Sequence, residues 1–188
     1  QVLPGVDPAG RHDLWSGEAE ASSDEYFTDL VSRKAVDFIN GQDGPFMLSV
    51  HYTAPHWPWE TRDDRAESQR IGGAIRHLDG GSIATYRRMI HHMDEGIGLV
   101  VAQLLEEGLL DDTLIVFTSD NGGERFSDNW PLVGGKMDLT EGGIRVPWIA
   151  HWPATIPAGG VSTQHCMTMD WSATMLDLGG AHPRADYP

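Results

Sequence analysis

One stretch limits the folds open to this chain more than any other: an apolar run, a long amphipathic helix and a second apolar run, in that order. Ile83, Tyr86, Ile90, Met93, Ile97, Val101 and Leu104 keep the spacing of one helical face, with Ser82 at the N-cap position and Gly108 at the C-terminal stop. Upstream, Phe46 to Tyr52 is a short run of strand formers after the turn-like Gln42-Asp43-Gly44-Pro45, and downstream Thr113 to Thr118 is another. Strand, long helix, strand is the order of a right-handed crossover between parallel strands, so the expected fold class is α/β. Val146 to His151 reads as a further strand, and Asp170 to Leu178 as a short helix closed by Gly179-Gly180.

Ahead of the first apolar run a second amphipathic helix is expected. Ser23 is placed as its N-cap, Asp24 and Glu25 fall in its first turn, Phe27, Leu30, Val31, Ala35, Phe38 and Ile39 form its apolar face, and Gly41 ends it. Residues 1–22, rich in Gly, Pro and Asp, carry no sustained period and read as an irregular leading segment. Residues 53–81 are too long for a routine connection and read as a functional loop on the active-site side.

With 40% hydrophobic and 22% charged residues among 188, the chain has enough apolar material for a real core. No apolar run approaches the roughly 18 to 20 residues a membrane helix needs, so no membrane is expected as a partner. A formal charge of −15 repels polyanions, which argues against nucleic acid and requires any anion site to be locally positive. The single cysteine, Cys166, excludes an intrachain disulfide and is expected to be an inert buried thiol.

Ser119-Asp120-Asn121-Gly122-Gly123 follows the strand ending at Thr118, and the carboxyl ends of strands are where open α/β sheets bind ligands. A carboxylate beside an amide oxygen offers hard ligands for Ca²⁺ or Mg²⁺; an ordinary tight turn would use the same Asn-Gly pair. His56, in Ala54-Pro55-His56-Trp57-Pro58-Trp59, is walled by aromatics on a segment the prolines hold extended. Such a histidine could bind an anion or protonate a leaving group, or simply pack in an aromatic cluster. Lys136, in Val133-Gly134-Gly135-Lys136, is not part of a nucleotide loop, because the first glycine of that motif would fall at Trp130 and Met137 replaces its Ser or Thr. It remains a cation on a Gly-flanked turn, able to contact an oxyanion or to stand solvated. His91 and Glu95 are i, i+4 on the long helix but lie off its apolar stripe, so a solvated face is expected there.

Taken in order, these pieces resemble the type I sulfatase family of the alkaline-phosphatase-like superfamily. The matching stretches are Tyr26 to Ile39, Ala54-Pro55-His56-Trp57-Pro58, Tyr86 to Gly98, Ser119 to Gly123, Gly134-Gly135-Lys136, Glu141-Gly142-Gly143-Ile144-Arg145-Val146-Pro147 and Asp170 to Gly180, covering most of residues 12–188. The resemblance implies an alkaline-phosphatase-like sandwich, a mostly parallel sheet flanked by helices, of which residues 1–188 are the C-terminal part of the catalytic domain. It implies that Asp120 and Asn121 are two ligands of Ca²⁺, with Mg²⁺ as the alternative metal, and that His56 and Lys136 bind the sulfate group and assist leaving-group departure. Glu141 and Arg145 are read as loop supports.

The family's nucleophile is a formylglycine made from a Cys/Ser-X-Pro-X-Arg motif, which these 188 residues do not contain. The paired N-terminal aspartates and the Lys and His that accompany it lie upstream in the family. The chain is therefore expected to be an internal segment of a parent sulfatase, inactive alone and prone to self-association through surfaces its missing part would cover. The parent's substrate is expected to be an aryl or carbohydrate sulfate monoester, and its location periplasmic or secreted. The rivals are a phosphoester or phosphonate ester hydrolase on the same fold, and a non-catalytic binding or structural module derived from it.

Overall fold

The computed structural model describes residues 14–71 and 77–181. The chain divides into two compact units, residues 1–155 and 156–188. In the first, β1 (Trp15–Ser16) and β2 (Ala19–Glu20) form an antiparallel hairpin. Gly17 supplies the positive φ of +62° at its turn, a conformation an L side chain rarely adopts. The hairpin lies where an irregular segment was expected; residues 1–13 fall outside the described part.

Helix α1 (Phe27–Asn40) begins later than Ser23 predicts. Its N-cap is Tyr26, with no side-chain cap, while Ser23 Oγ accepts only the Glu25 N–H in a local turn at 3.1 Å. Within residues 53–81 a short helix, α2 (Arg65–Ile71), was not anticipated. Helix α3 (Ile83–Glu106) starts as expected, with Ser82 Oγ accepting the Thr85 N–H at 3.0 Å. A 3₁₀ turn at Leu110–Asp112 leads to β3 (Ile115–Thr118), then the one-turn helix α4 (Glu141–Ile144) and β4 (Trp148–His151).

Two strand expectations need correction. Phe46 to Tyr52 forms no strand, since a strand exists only with a ladder partner and the described residues offer none. The strands that do pair, β3 and β4, are antiparallel, with Ile115 opposite His151 and Thr118 opposite Trp148. The parallel crossover inferred from element order is thus not formed among the described residues. No described helix packs on the β3–β4 pair, and all four residues of β4 are exposed.

The core of this unit is instead helical. Helices α1 and α3 pack together, with Leu30, Ala35 and Ile39 of α1 and Leu104 of α3 buried, while Met89 of α3 is buried against Ala54 and Trp59. The approach of the two helices depends on Gly96: a Cβ there would overlap Ser32 Oγ, which donates to Thr28 O at 2.7 Å and bonds the Tyr52 hydroxyl at 3.0 Å. The Tyr52 side chain thus joins the helix pair. Arg62 ties the following loop to both helices, reaching Asp29 at 2.9 Å and Glu95 at 3.0 Å. His91 is exposed and pairs with Glu95 at 3.3 Å, consistent with a solvated helix face.

In the second unit, α5 (Thr168–Leu178) is capped by Asp170, whose carboxylate accepts the Met167 N–H at 2.7 Å. Cys166 is exposed beside it, not buried as expected. No helix among the described residues is long and apolar enough to cross a membrane.

Candidate active site

Three Gly-Gly pairs, Gly122-Gly123, Gly134-Gly135 and Gly142-Gly143, interlock backbone to backbone after β3. The Gly122 N–H donates to Gly143 O at 2.8 Å, Gly142 N–H to Val133 O at 2.8 Å, and Lys136 N–H to Gly123 O at 3.0 Å. Side chains cannot fit between such strands of backbone. A Cβ on Gly122 would overlap Gly142 O, one on Gly142 would overlap Gly134 O, and one on Gly143 would overlap Asp138 O. Asn129 staples the knot: its Oδ1 accepts the Gly123 N–H at 3.2 Å, and its Nδ2 donates to Gly123 O at 3.0 Å and Gly134 O at 3.1 Å.

The knot brings Asp120, Asn121 and Lys136 onto one set of loops at the carboxyl end of β3. Asp120 is exposed, and its carboxylate makes no hydrogen bond or ion pair among the described residues. Asn121 Nδ2 donates to Gly122 O at 2.9 Å, which leaves its amide oxygen available. These two hard oxygens suit Ca²⁺ or Mg²⁺ in kind and fall short of the roughly 6 to 8 ligands Ca²⁺ takes. Among the described residues no group of three or more His, Cys, Asp or Glu could hold a metal alone. Lys136 is half-buried, and its Nζ meets Glu124 at 3.3 Å. Its ammonium is thus ion-paired rather than fully solvated, and Met137 beside it has a positive φ of +79°.

His56 sits on a separate loop. The segment is turned rather than extended, with the His56 N–H donating to Thr53 O at 2.8 Å. The His56 ring is exposed, lies 4.4 Å from the Trp57 ring, and its Nδ1–H donates to Trp57 O at 2.6 Å. A carbonyl only accepts, so the neutral ring carries its proton on Nδ1 and leaves Nε2 for exchange with a ligand. Among the described residues no hydrogen bond or ring contact joins His56 to Lys136, Asp120 or Asn121.

The loops meet instead through Trp59, which lies edge-on to Phe126 with centroids 4.9 Å apart. Arg125 caps both rings, at 4.9 Å from Trp59 and 4.6 Å from Phe126. Phe126 accepts a φ of +72° to make this contact, a strained conformation for an aromatic residue. A cleft of about 290 Å³ lined by Trp59, Asp64, Glu67, Gly81, Ser82 and Thr85 contains none of the four residues singled out.

The family described as Sulfatase matches residues 6–181. The chain belongs to the sulfatase family. N-acetylgalactosamine-6-sulfatase of Mus musculus is 34% identical over 168 residues, 85% of this sulfatase chain and 30% of that protein. Steryl-sulfatase of Mus musculus is 38% identical over 167 residues, 84% of this chain and 25% of that protein. The solved structure of Ps i-CgsB in complex with k-i-k-neocarrahexaose is similar at a TM-score of 0.76 and 35% identity, covering 89% of this chain and 37% of that one. The sulfatase chain thus spans about a third or less of the length of these relatives.

Glu124, Asn129 and Phe126 were missed by sequence reasoning. Glu124 had a signal, an acidic residue directly after Asp120-Asn121-Gly122-Gly123; Phe126 had none, because its partner Trp59 is 67 residues away, and Asn129, whose partners Gly123 and Gly134 are near in sequence, stands in no recognisable turn pattern. Glu141 and Arg145 pair with each other at 3.3 Å as exposed side chains across α4, while the glycines between them take part in the interlock.

Proposed function

We propose that this chain carries the metal-binding and leaving-group side of the active site of a sulfuric ester hydrolase. The observation that supports this most is the Gly-Gly interlock, which joins an unpaired carboxylate, an available amide oxygen and an ion-paired cation on one knot of a sulfatase-family chain. Asp120 and Asn121 would hold Ca²⁺, with Mg²⁺ as the alternative. When bound, the metal supplies Lewis-acid polarisation of the sulfate.

Lys136 neutralises a sulfate oxygen, sharing its charge with Glu124 until the substrate anion arrives. A cation placed where the sulfate charge sits stabilises that charge electrostatically. His56 acts at Nε2. With Nδ1–H held by Trp57 O, the protonated ring gives its Nε2 proton to the departing ester oxygen as the S–O bond breaks. The formylglycine nucleophile is assigned to a part of the parent outside this sequence, so the 188 residues alone are read as inactive. In the same reading β3, β4 and the unpaired Phe46–Tyr52 segment join the mostly parallel sheet of an alkaline-phosphatase-like sandwich completed by the parent domain.

The names of the relatives, N-acetylgalactosamine-6-sulfatase, steryl-sulfatase and arylsulfatase H of Canis lupus familiaris, support aryl or carbohydrate sulfate monoesters as the substrate class, with steroid sulfates beside them. The test uses the full-length parent with a phenyl sulfate, a sulfated sugar and the matching phosphate ester. Asp120→Ala, Lys136→Ala and His56→Ala should each lower sulfate-ester turnover by about 100- to 1000-fold. The His56→Ala deficit should shrink for a nitrophenyl sulfate, whose leaving group needs no proton. Faster turnover of the phosphate ester would favour the phosphoesterase rival, and no turnover of either would favour the non-catalytic module.

A further inference from the structure

Beside the loop that carries His56 a polar chain that belongs to no motif runs from the buried His77 out to the exposed Arg70 and Asp79. His77 is 2% exposed. Its Nδ1 accepts the backbone N–H of Trp59 at 3.0 Å, and because a backbone amide only donates, the ring proton resides on Nε2. Nε2 in turn donates to Glu67 Oε1 at 2.8 Å. Arg70 clamps the same carboxylate with Nε to Oε2 and Nη2 to Oε1, both at 2.7 Å, and extends to Asp79 at 3.2 Å. Gly80 seats the imidazole, since a Cβ there would overlap it. The buried His77 ring has a partner at both nitrogens, which fixes its orientation.

The network reaches both halves of the candidate site. Trp59 stands three residues after His56 in sequence, and its backbone is the donor to His77. The Trp59 ring, 5% exposed, packs on Phe126 and Arg125, and Arg125 Nη1 donates to Leu78 O at 2.9 Å. Arg125 and Phe126 directly follow Glu124, the partner of Lys136. One short segment, residues 77–79, therefore grips the His56 loop through His77 and the Lys136 partner loop through Leu78.

We propose that His77 is a positioning residue: its Nδ1 acceptor for the Trp59 amide sets where His56 stands relative to the Asp120–Asn121–Lys136 knot. This rests on the reading of His56 as the leaving-group acid. His77 does not touch the substrate. Loss of its acceptor lets the loop shift, and a misplacement of about 1 Å at a reacting group costs on the order of 100-fold in rate.

Two substitutions of similar size separate positioning from bulk structure in the full-length parent. His77→Asn puts a carbonyl oxygen where Nδ1 stood, keeping the Trp59 acceptor. His77→Gln puts its amide where Nε2 stood, keeping the Glu67 contact and losing the acceptor. With folding checked by thermal melts, His77→Asn should retain most of kcat, and His77→Gln should lose about 100-fold in kcat with a much smaller change in KM. In a His56→Ala background the His77→Gln effect should vanish, because one residue acts through the other. A Gln variant faster than the Asn variant, or an undiminished effect of His77→Gln on His56→Ala, overturns the inference while leaving the sulfatase reading intact. A wild-type parent that turns over no sulfate ester overturns the reading and this inference with it.

Discussion

Gly96 and Gly98 lie two residues apart on α3, and the same substitution should move stability in opposite directions at the two sites. Gly98 is exposed and a Cβ there meets nothing within 4 Å. Gly98→Ala therefore gains helix propensity alone, about 0.5–1 kcal/mol. At Gly96 the same gain is set against overlap with Ser32 Oγ and contacts of 3.1 Å to Ser32 Cβ and the Tyr52 hydroxyl. Pushing α1 away costs about 1–3 kcal/mol as overpacking. Rotating Ser32 instead sacrifices its bonds to Thr28 O and Tyr52, each worth about 1 kcal/mol. Either route leaves Gly96→Ala destabilised by about 1–2 kcal/mol net. Urea denaturation followed by helical circular dichroism reads both, with melting shifts of about 2–4 °C per kcal/mol. Equal stabilisation by the two alanines would show that α1 and α3 do not meet at this notch, and would refute the packing described.

Ser82→Ala removes the acceptor for the Thr85 N–H and should cost about 1 kcal/mol, measured in the same denaturation assay. Gly122→Ala drives a Cβ into the Gly142 carbonyl, a backbone atom that cannot rotate aside, and should cost at least about 1–3 kcal/mol; unchanged amide chemical shifts at Gly142 and Gly143 would contradict the interlock. Burial pushes the His92 imidazole below its usual 6.5, and its Nδ1 has no partner among the described residues. The unfolded state therefore binds the proton first, so stability is full above about pH 6.5 and falls as pH drops below it; His92→Phe should flatten that slope. The Arg70 fork, with His77 behind it, lowers the Glu67 carboxyl to about 2. Its contribution is present above pH 4.5 and is lost as pH falls through about 2, and a carboxyl-carbon NMR titration of Glu67 with a midpoint near 4.5 would contradict the clamp.

Much of the local structure was legible in the residues themselves. The apolar spacing from Ile83 to Leu104, the Ser82 cap and the strand formers before Thr118 are signals carried within a few residues, so α3 and β3 fall where periodicity puts them. The pairing of strands was not legible in that way. Phe46 to Tyr52 has the composition of a strand, yet strand formation is settled by a neighbour's hydrogen bonds, and no described residue provides them.

The candidate site divides along the same line. Asp120, Asn121, His56 and Lys136 could be named from local patterns because hard ligands, imidazoles and cations announce their chemistry by residue type. Their arrangement could not. The three Gly-Gly pairs, separate in sequence, interlock in the fold, because only the folded state brings backbone carbonyls to where the Cβ of Gly122, Gly142 or Gly143 would be. Lys136 acquires Glu124, and Trp59 acquires His77, Phe126 and Arg125, through contacts spanning 12 to 67 residues of chain. Such contacts depend on side-chain placement set by packing, which no short window of sequence records.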